Sequence, residues 1–341
     1  MDLIKFNYYL RPFLYSIMDF YAAFAAMPRG YAILSYHQIS ASCTEDLMLS
    51  SMKVDVGSFA HQMQMIKSQA QPVSLLEMVN RIKGGIKADG LYVAVTFDDG
   101  YANNLLLAYP ILKELNIPAT LFISTAYVDN PSLIPWWDEL HHLVKKLTGT
   151  IKIEFNGIKL NFDMNIPNGK RTLIAKLSNF MTNGTALEKE NILSLLRCRV
   201  FNYSKPDRNA FADWTQLKQV VDEGLISVGG HTVTHANLTE CVDFGIKEID
   251  EGKARLEEVL GFPISLFAYP FGAFNNDIIG AVRYADFLAA VTCAIGINQA
   301  ADDVFSLKRI PIAYNRNQNH FLTRLKFAGN GLLVSLFNKV W

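Results

Sequence analysis

The sequence predicts an α/β chain wound into a closed or nearly closed parallel barrel, and three observations carry that expectation. Short apolar runs rich in β-branched residues alternate with longer segments of helical period, the pattern of βα units on a parallel sheet. About seven such units can be counted, and their strands read as apolar on both faces, as strands covered on both sides do. The chain has 341 residues, 50% of them hydrophobic, enough to bury a core of that size.

Taken in order, the expected strands are "YAILSYH" (31–37), a weaker "PVSL" (72–75), "YVAVTFDD" (92–99), "PATLFIS" (118–124), "LISVGGH" (225–231), "PISLFAYP" (263–270) and "AAVTCAI" (289–295). Helical periods fill 58–70, 101–115, 244–260 and 275–285. Residues 139–212 break the rhythm. "IKIEFNGIKLNF" holds two alternating runs around Asn156-Gly157, a dipeptide suited to a tight hairpin turn, and a charged helical stretch follows. This block is expected to be an insertion into a barrel spanning 31–315, not a separate domain.

The two ends differ from the rest. Residues 1–30 are aromatic and apolar, but Asp2, Lys5, Arg11 and Asp19 interrupt them, so no stretch reaches the roughly 18 uncharged residues of a membrane span. A secretory signal would not place Asp19 inside its apolar region. An amphipathic helix is expected there, either covering one end of the core or lying on a membrane surface, and the segment 316–341 leaves the same two alternatives.

Charge and cysteine content exclude other classes. Lys plus Arg (32) equals Asp plus Glu (32), so the basic footprint of a nucleic-acid binder is missing. Cys43, Cys198, Cys241 and Cys293 are widely spaced and suggest neither a thiolate zinc site nor a disulfide framework. The expected compartment is reducing, hence cytoplasmic, with peripheral contact to a membrane as an addition.

The chemistry gathers at strand ends, where a parallel barrel carries its site. Asp98 and Asp99 close one strand and Gly100 lets the backbone turn; taken alone, a solvated Asp-Gly turn explains this stretch equally well. "GGHTVTHANL" follows another strand and carries His231 and His235 four apart, a spacing that on one helical turn sets two imidazoles on one side. Two histidines and one carboxylate with an open position make a hydrolytic metal site. The second aspartate is then free to act as general base on a water whose pKa the ion lowers to about 7.

"TFDDG", "HTVTH" and "FAYPFG", in that order, resemble the signature motifs of the polysaccharide deacetylase family, metal-dependent hydrolases of N-acyl groups on amino sugars. The resemblance extends over about 31–313, through "ILSYHQI", "VSLLEMV", "YANNLLLAYPILKELNIPATLFIS" and "SLKRIPI". It implies an irregular (β/α)7 barrel, Asp98 as general base, and Asp99, His231 and His235 as ligands of a divalent ion, zinc being the expected one. It also implies that the peptide N–H of Phe271 stabilises the oxyanion, with Gly272 letting that loop approach the substrate. Many members carry an arginine near the start of the third motif, where this chain has Ala268. An Asp-Trp fourth motif and a C-terminal Leu-x-x-His are missing. In a permuted branch of the family an N-terminal Tyr-His supplies the general acid, and Tyr36-His37 makes His37 the candidate here.

The implied substrate is an N-acylated amino sugar in a polysaccharide, a lipopolysaccharide or a lipid-linked precursor, and no nucleic acid. An O-acetyl esterase using the same machinery and a catalytically silent carbohydrate-binding barrel are the alternatives. His61, His141, His142 and His320 lie outside the motifs and read as solvated or structural. Trp136 and Trp137 read as core packing before a sugar platform, and Trp214 as the anchor of the helix preceding "LISV".

Overall fold

The computed structural model describes residues 20, 24–41, 52–155, 157–166, 168–205, 210–312 and 319–329. Seven parallel strands close into a barrel: β1 (Gly30–Tyr36), β2 (Leu91–Phe97), β3 (Ala119–Ile123), β4 (Ile226–Gly230), β5 (Leu266–Ala268), β6 (Ala289–Ile295) and β7 (Leu307–Pro311). Each pairs with the next, and β7 returns to β1. The closure is uneven. β1 and β2 run in register from Gly30↔Leu91 to Tyr36↔Phe97, whereas β5 meets β4 at the single pair Phe267↔Gly230.

Six strands fall where the apolar runs predict them, and the seventh does not. "PVSL" contributes only the two-residue strand Gln71–Pro72 beside the start of β2, because Ser74 caps a helix there, its hydroxyl accepting the Glu77 N–H at 3.1 Å. The seventh stave is instead "LKRIP", whose adjacent charges, Lys308 and Arg309, conceal it from a search for apolar runs.

Both strand faces are buried, as a parallel sheet requires. Neighbouring residues such as Ile33 and Leu34, Ala94 and Val95, or Phe122 and Leu121 belong to different apolar clusters. The cluster holding Leu34, Val95 and Leu121 includes Phe59 and Met63 from α1 (Val56–Gln69) and Leu256 from the long helix Val242–Leu260. It therefore fills the layer between barrel and helices, and Ile33, Ala94 and Phe122 point the other way, into the interior.

The expected helix at 101–115 opens as a π-helical stretch, Asn104–Ala108, before α2 (Tyr109–Leu115). Pro110 has no N–H with which to continue an α-type ladder at that point.

Between β3 and β4 lies the irregular block. Thr150–Phe155 and Ile158–Asp163 form the expected antiparallel hairpin, with Phe155 opposite Ile158. It joins α3 (Trp136–Lys146), α4 (Gly169–Thr182) and α5 (Ala186–Arg197) around a separate apolar core that includes Leu140, Leu143, Leu173, Leu177 and Leu196. The amphipathic helix expected within 1–30 falls almost wholly outside the described residues. In the C-terminal segment, Asn319–Phe327 is helical and buries Phe321 and Leu325. Among the described residues no helix is long and apolar enough to cross a membrane.

Candidate metal centre

The Asp98 N–H donates to the carbonyl of Tyr36 at 2.9 Å, so the ends of β1 and β2 deliver His37 and Asp98 side by side. The "YANN" stretch fixes that junction: Asn104 Nδ2 donates to the His37 carbonyl at 2.8 Å and Asn103 Oδ1 accepts the Ile39 N–H at 3.0 Å. The turn after β2 is shared by Asp99 and Gly100, with φ of 75° and 88°, where Gly100 alone was expected to make it. Asp is one of the few side chains that visits this left-handed region readily.

His231 and His235 do not sit on a helical turn, as their spacing suggests. They lie in the loop after β4, and Thr232 (φ 66°) and His235 (φ 58°) both take left-handed conformations that fold the loop back on itself. The His235 N–H donates to Thr232 Oγ1 at 3.0 Å. Glu248, buried on α6 (Trp214–Asp222)'s successor helix α7 (Val242–Leu260), accepts the N–H groups of Val233 and Thr234 at 3.0 and 2.8 Å and the Thr234 hydroxyl at 2.9 Å. An acidic residue on an amphipathic helix gives no signal of this role in sequence.

The two histidines and Asp99 meet. His231 Nε2 and His235 Nε2 lie 3.6 and 3.4 Å from Asp99 Oδ1, close to the ~3.4 Å edge of a tetrahedron with bonds of about 2.1 Å. The three donor atoms lie within 4.8 Å of one another and all three residues are buried. His231 Nδ1 lies 2.7 Å from the Ala268 carbonyl; an N–H there leaves Nε2 as the lone pair facing Asp99, the arrangement that outer partners impose on metal-binding histidines. Asp99 Oδ1 is buried with no hydrogen-bond partner, which a bound cation would supply.

Electrostatics point the same way. Burial, reinforced by Asp98 and Asp138, raises Asp99 well above the carboxylate range. Burial also lowers His231, and it lowers His235 well below the usual range, with His231 adding to the effect. In all three, burial works against the charged form. A cation among them would stabilise the carboxylate and keep both imidazoles neutral, which is the ligand state. The residues present therefore fit a divalent ion bound through Asp99, His231 and His235.

Asp98 has a different environment. Arg309, from β7, donates Nη1 and Nη2 to its two oxygens at 2.7 and 2.8 Å, and its Nε donates to the Thr292 carbonyl at 2.8 Å. Arg309 is 1% exposed. Burial alone would raise Asp98, but the charge and hydrogen bonds of Arg309 outweigh it and hold the carboxyl well below its usual range. Where the third motif has Ala268, the arginine that engages Asp98 comes from the last strand. "SLKRIPI" contains it, and the signal available was an arginine inside an otherwise strand-like run.

His37 Nε2 lies 3.9 Å from Asp98 Oδ2, and burial pushes its pKa down to about 4 against the pull of Asp98. Phe271 has φ 57°, and its ring packs on His235 with centroids 4.5 Å apart. Gly272 (φ 67°), expected to let its loop approach a substrate, has a use in the fold itself: a Cβ there would lie 2.6 Å from that of Cys293 on β6. Trp137 packs as expected, and the surface it packs on is the site. It lies 4.7 Å from His235 and 6.3 Å from Phe271, ring to ring, and its Nε1 donates to the Tyr101 hydroxyl at 2.9 Å. Trp214 opens its helix, with Nε1 donating to Asp129 at 2.9 Å. The remaining histidines stay outside the cluster; His142, for one, pairs with the Ser204 carbonyl at 2.9 Å.

A family model described as polysaccharide deacetylase matches residues 86–154 and 175–290, more than half of the chain. Over 114 residues the chain is 26% identical to a poly-beta-1,6-N-acetyl-D-glucosamine N-deacetylase of Escherichia coli (strain K12), covering 33% of this chain and 16% of that protein. Among solved structures it resembles the Streptococcus pyogenes deacetylase PplD, solved in complex with acetate, with a TM-score of 0.59 and 22% identity over 87% of this chain and 99% of that one. IcaB from Ammonifex degensii superposes with a TM-score of 0.57 and 18% identity, over 89% and 99%. At these identities the structural likeness establishes the barrel fold, and the chain spans only about a sixth of the Escherichia coli protein.

Proposed function

The chain belongs to the polysaccharide deacetylase family, and on that premise we propose that it is a metal-dependent hydrolase that removes an N-acyl group, acetyl in the simplest case, from an amino sugar. The observation that supports this most is the pairing of an Asp99–His231–His235 triangle with an adjacent aspartate ionised by its own arginine. The proposed ion is zinc, which favours three protein ligands and one open position. When bound, it supplies a Lewis acid that polarises the amide carbonyl and lowers the pKa of its water to about 7.

In this reading the protein's own groups divide the proton work. Asp98, oriented by Arg309, takes a proton from the attacking water. The Phe271 peptide N–H donates to the oxyanion as the carbonyl becomes tetrahedral. His37 then protonates the leaving nitrogen, so that the C–N bond breaks to give a carboxylate and an amine. Because His37 is held at about 4, it is neutral at rest. The proton it delivers is the one that Asp98, 3.9 Å away, receives first.

One observation favours exchanging the two roles: a neutral imidazole beside a carboxylate already engaged by Arg309 is the stronger base of the two. His37→Ala separates the readings. As the acid, His37 is needed for amides, with a loss of roughly 10²- to 10⁴-fold, and is spared by activated esters whose leaving groups depart without a proton. As the base it is needed equally by both.

The proposed substrate is a polysaccharide, a lipopolysaccharide or a lipid-linked precursor, met in the cytoplasm or at its membrane surface. Free thiols at Cys198, Cys241 and Cys293 support a reducing compartment. Release of acetate and free amine from N-acetylglucosamine oligomers by the purified chain tests the activity. Chelation should abolish it and zinc restore it; release that survives complete metal removal would sink the reading.

A further inference from the structure

The helices between β3 and β4 border an open cavity of about 320 Å³, at the lower end of the roughly 300–1,000 Å³ of small-molecule sites. Trp136 forms its aromatic wall. Trp136 meets Trp137 edge to face at 5.5 Å, and Trp137 lies on His235 at 4.7 Å, so the cavity is two ring contacts from a proposed metal ligand.

Its charges fall into two groups. Glu139 and Glu190 are both engaged by Arg197, through Nε and Nη2 to Glu139 at 2.7 Å each and through Nη1 to Glu190 at 2.5 Å. The Tyr203 hydroxyl also donates to Glu139. Lys189 and Lys205 line the same cavity, and among the described residues neither ammonium has a hydrogen bond or an ion pair. Burial lowers the pKa of Lys189, against the pull of Glu240 and Glu188, and Lys205 in turn helps to hold down the pKa of Glu139.

We propose that this cavity is a subsite for an acidic sugar, in which Lys189 and Lys205 take a phosphate or carboxylate group while the C–H face of the ring rests on Trp136. Arg197 bonds to both carboxylates, and with Lys189 and Lys205 the lining carries three cations to two carboxylates, so the excess charge favours an oxyanion, whose charge-assisted bonds are stronger than neutral ones. The inference rests on the reading that the substrate is a sugar, and it deepens that reading: the insertion would select chains or precursors carrying an acidic group near the residue to be deacylated.

Calorimetry on the full metal-loaded chain tests it with glucose 1-phosphate, glucuronic acid, glucose and inorganic phosphate, none of which carries an acyl group. Both acidic sugars should bind more tightly than glucose or phosphate. Lys189→Met with Lys205→Met should remove roughly ten- to a hundredfold of that affinity, the loss of a charge-assisted bond, and Trp136→Ala should weaken both acidic sugars but not phosphate. Metal content should stay unchanged in every variant and melting temperature in the lysine variants, Trp136 alone being packed on the insertion's apolar core, and Lys189→Glu provides a second variant that reverses the local charge. Equal binding of neutral and acidic sugars, or an acid preference that survives the double substitution, would overturn the charged half of the proposal. Phosphate binding as tightly as glucose 1-phosphate would overturn the role of Trp136. A chain that binds acidic sugars but deacylates nothing keeps the subsite and loses the proposed activity; one that deacylates neutral oligomers without any acid preference does the reverse.

Discussion

Asp98 and Asp99 are consecutive, equally buried and at the end of one strand, yet the protein treats them oppositely. On the Asp98 side the chain supplies the counter-charge itself, with Arg309 bonded to both oxygens. On the Asp99 side it supplies two imidazoles that burial keeps neutral, and Asp99 Oδ1 is left without a hydrogen bond. A buried carboxylate is costly until something positive meets it. One carboxylate is thus compensated by a cation of the chain itself, whereas the other sits in a cluster whose residues fit a divalent ion.

Removing the Asp99 side should have the largest effect. Asp99→Asn or His231→Ala should take metal content from about one ion per chain to near zero and activity to background, exceeding the roughly 10- to 100-fold typical of losing an outer-shell partner. Metal retained at full occupancy would dissolve the contrast between the two aspartates. Asp98→Asn is the complementary break: the ion should stay while turnover falls by roughly 10²- to 10⁴-fold, and loss of metal to the extent seen for Asp99→Asn would mean that both aspartates coordinate.

Arg309→Met asks whether the chain's own cation matters. It strands a buried carboxylate, at a cost of about 3–5 kcal/mol. In the parent protein the Asp98 pKa is depressed on folding, so its contribution is present above the unfolded value of about 3.9 and is lost as pH falls through the folded value. In the variant, burial without the arginine raises that pKa, and folding at neutral pH is penalised until the carboxyl takes up a proton. The gap in melting temperature between the two should therefore be widest near pH 7 and narrow toward pH 4. A gap independent of pH would show that Arg309 acts by packing alone.

The smallest effect is expected at Glu248→Gln. The loop carrying His235 would keep part of its support, because one acceptor oxygen remains for the Val233 and Thr234 groups. Metal affinity should drop by about 10-fold, within the range for outer partners, with turnover at saturating metal preserved. Unaltered affinity would mean that the left-handed turns of Thr232 and His235 suffice to hold the loop.

Much of this was legible in the sequence because it is local. Apolar runs marked β1 to β6, Asn156-Gly157 marked the hairpin, and Asp98, Asp99, His231 and His235 stood at strand ends. What escaped is what depends on long-range contact. β7 was hidden by Lys308 and Arg309, two charges that look like surface until the barrel closes and places Arg309 against Asp98, 211 residues away. Trp137 looked like packing, and only the docking of the insertion shows that it packs on His235.

Local pattern alone carried the strand-and-helix rhythm, the residue types of the candidate metal cluster and the location of that cluster at strand ends. Those follow from side-chain period and from residues whose chemistry has few other uses. The tertiary structure alone decided which aspartate is neutralised from within, that the histidines converge through left-handed loop residues instead of a helical turn, and which helix residue, Glu248, pins that loop. The first and the last depend on where a side chain from another element arrives when the barrel closes, and the second on backbone conformations that residue spacing does not encode; a linear pattern with a period of a few residues carries no information about either.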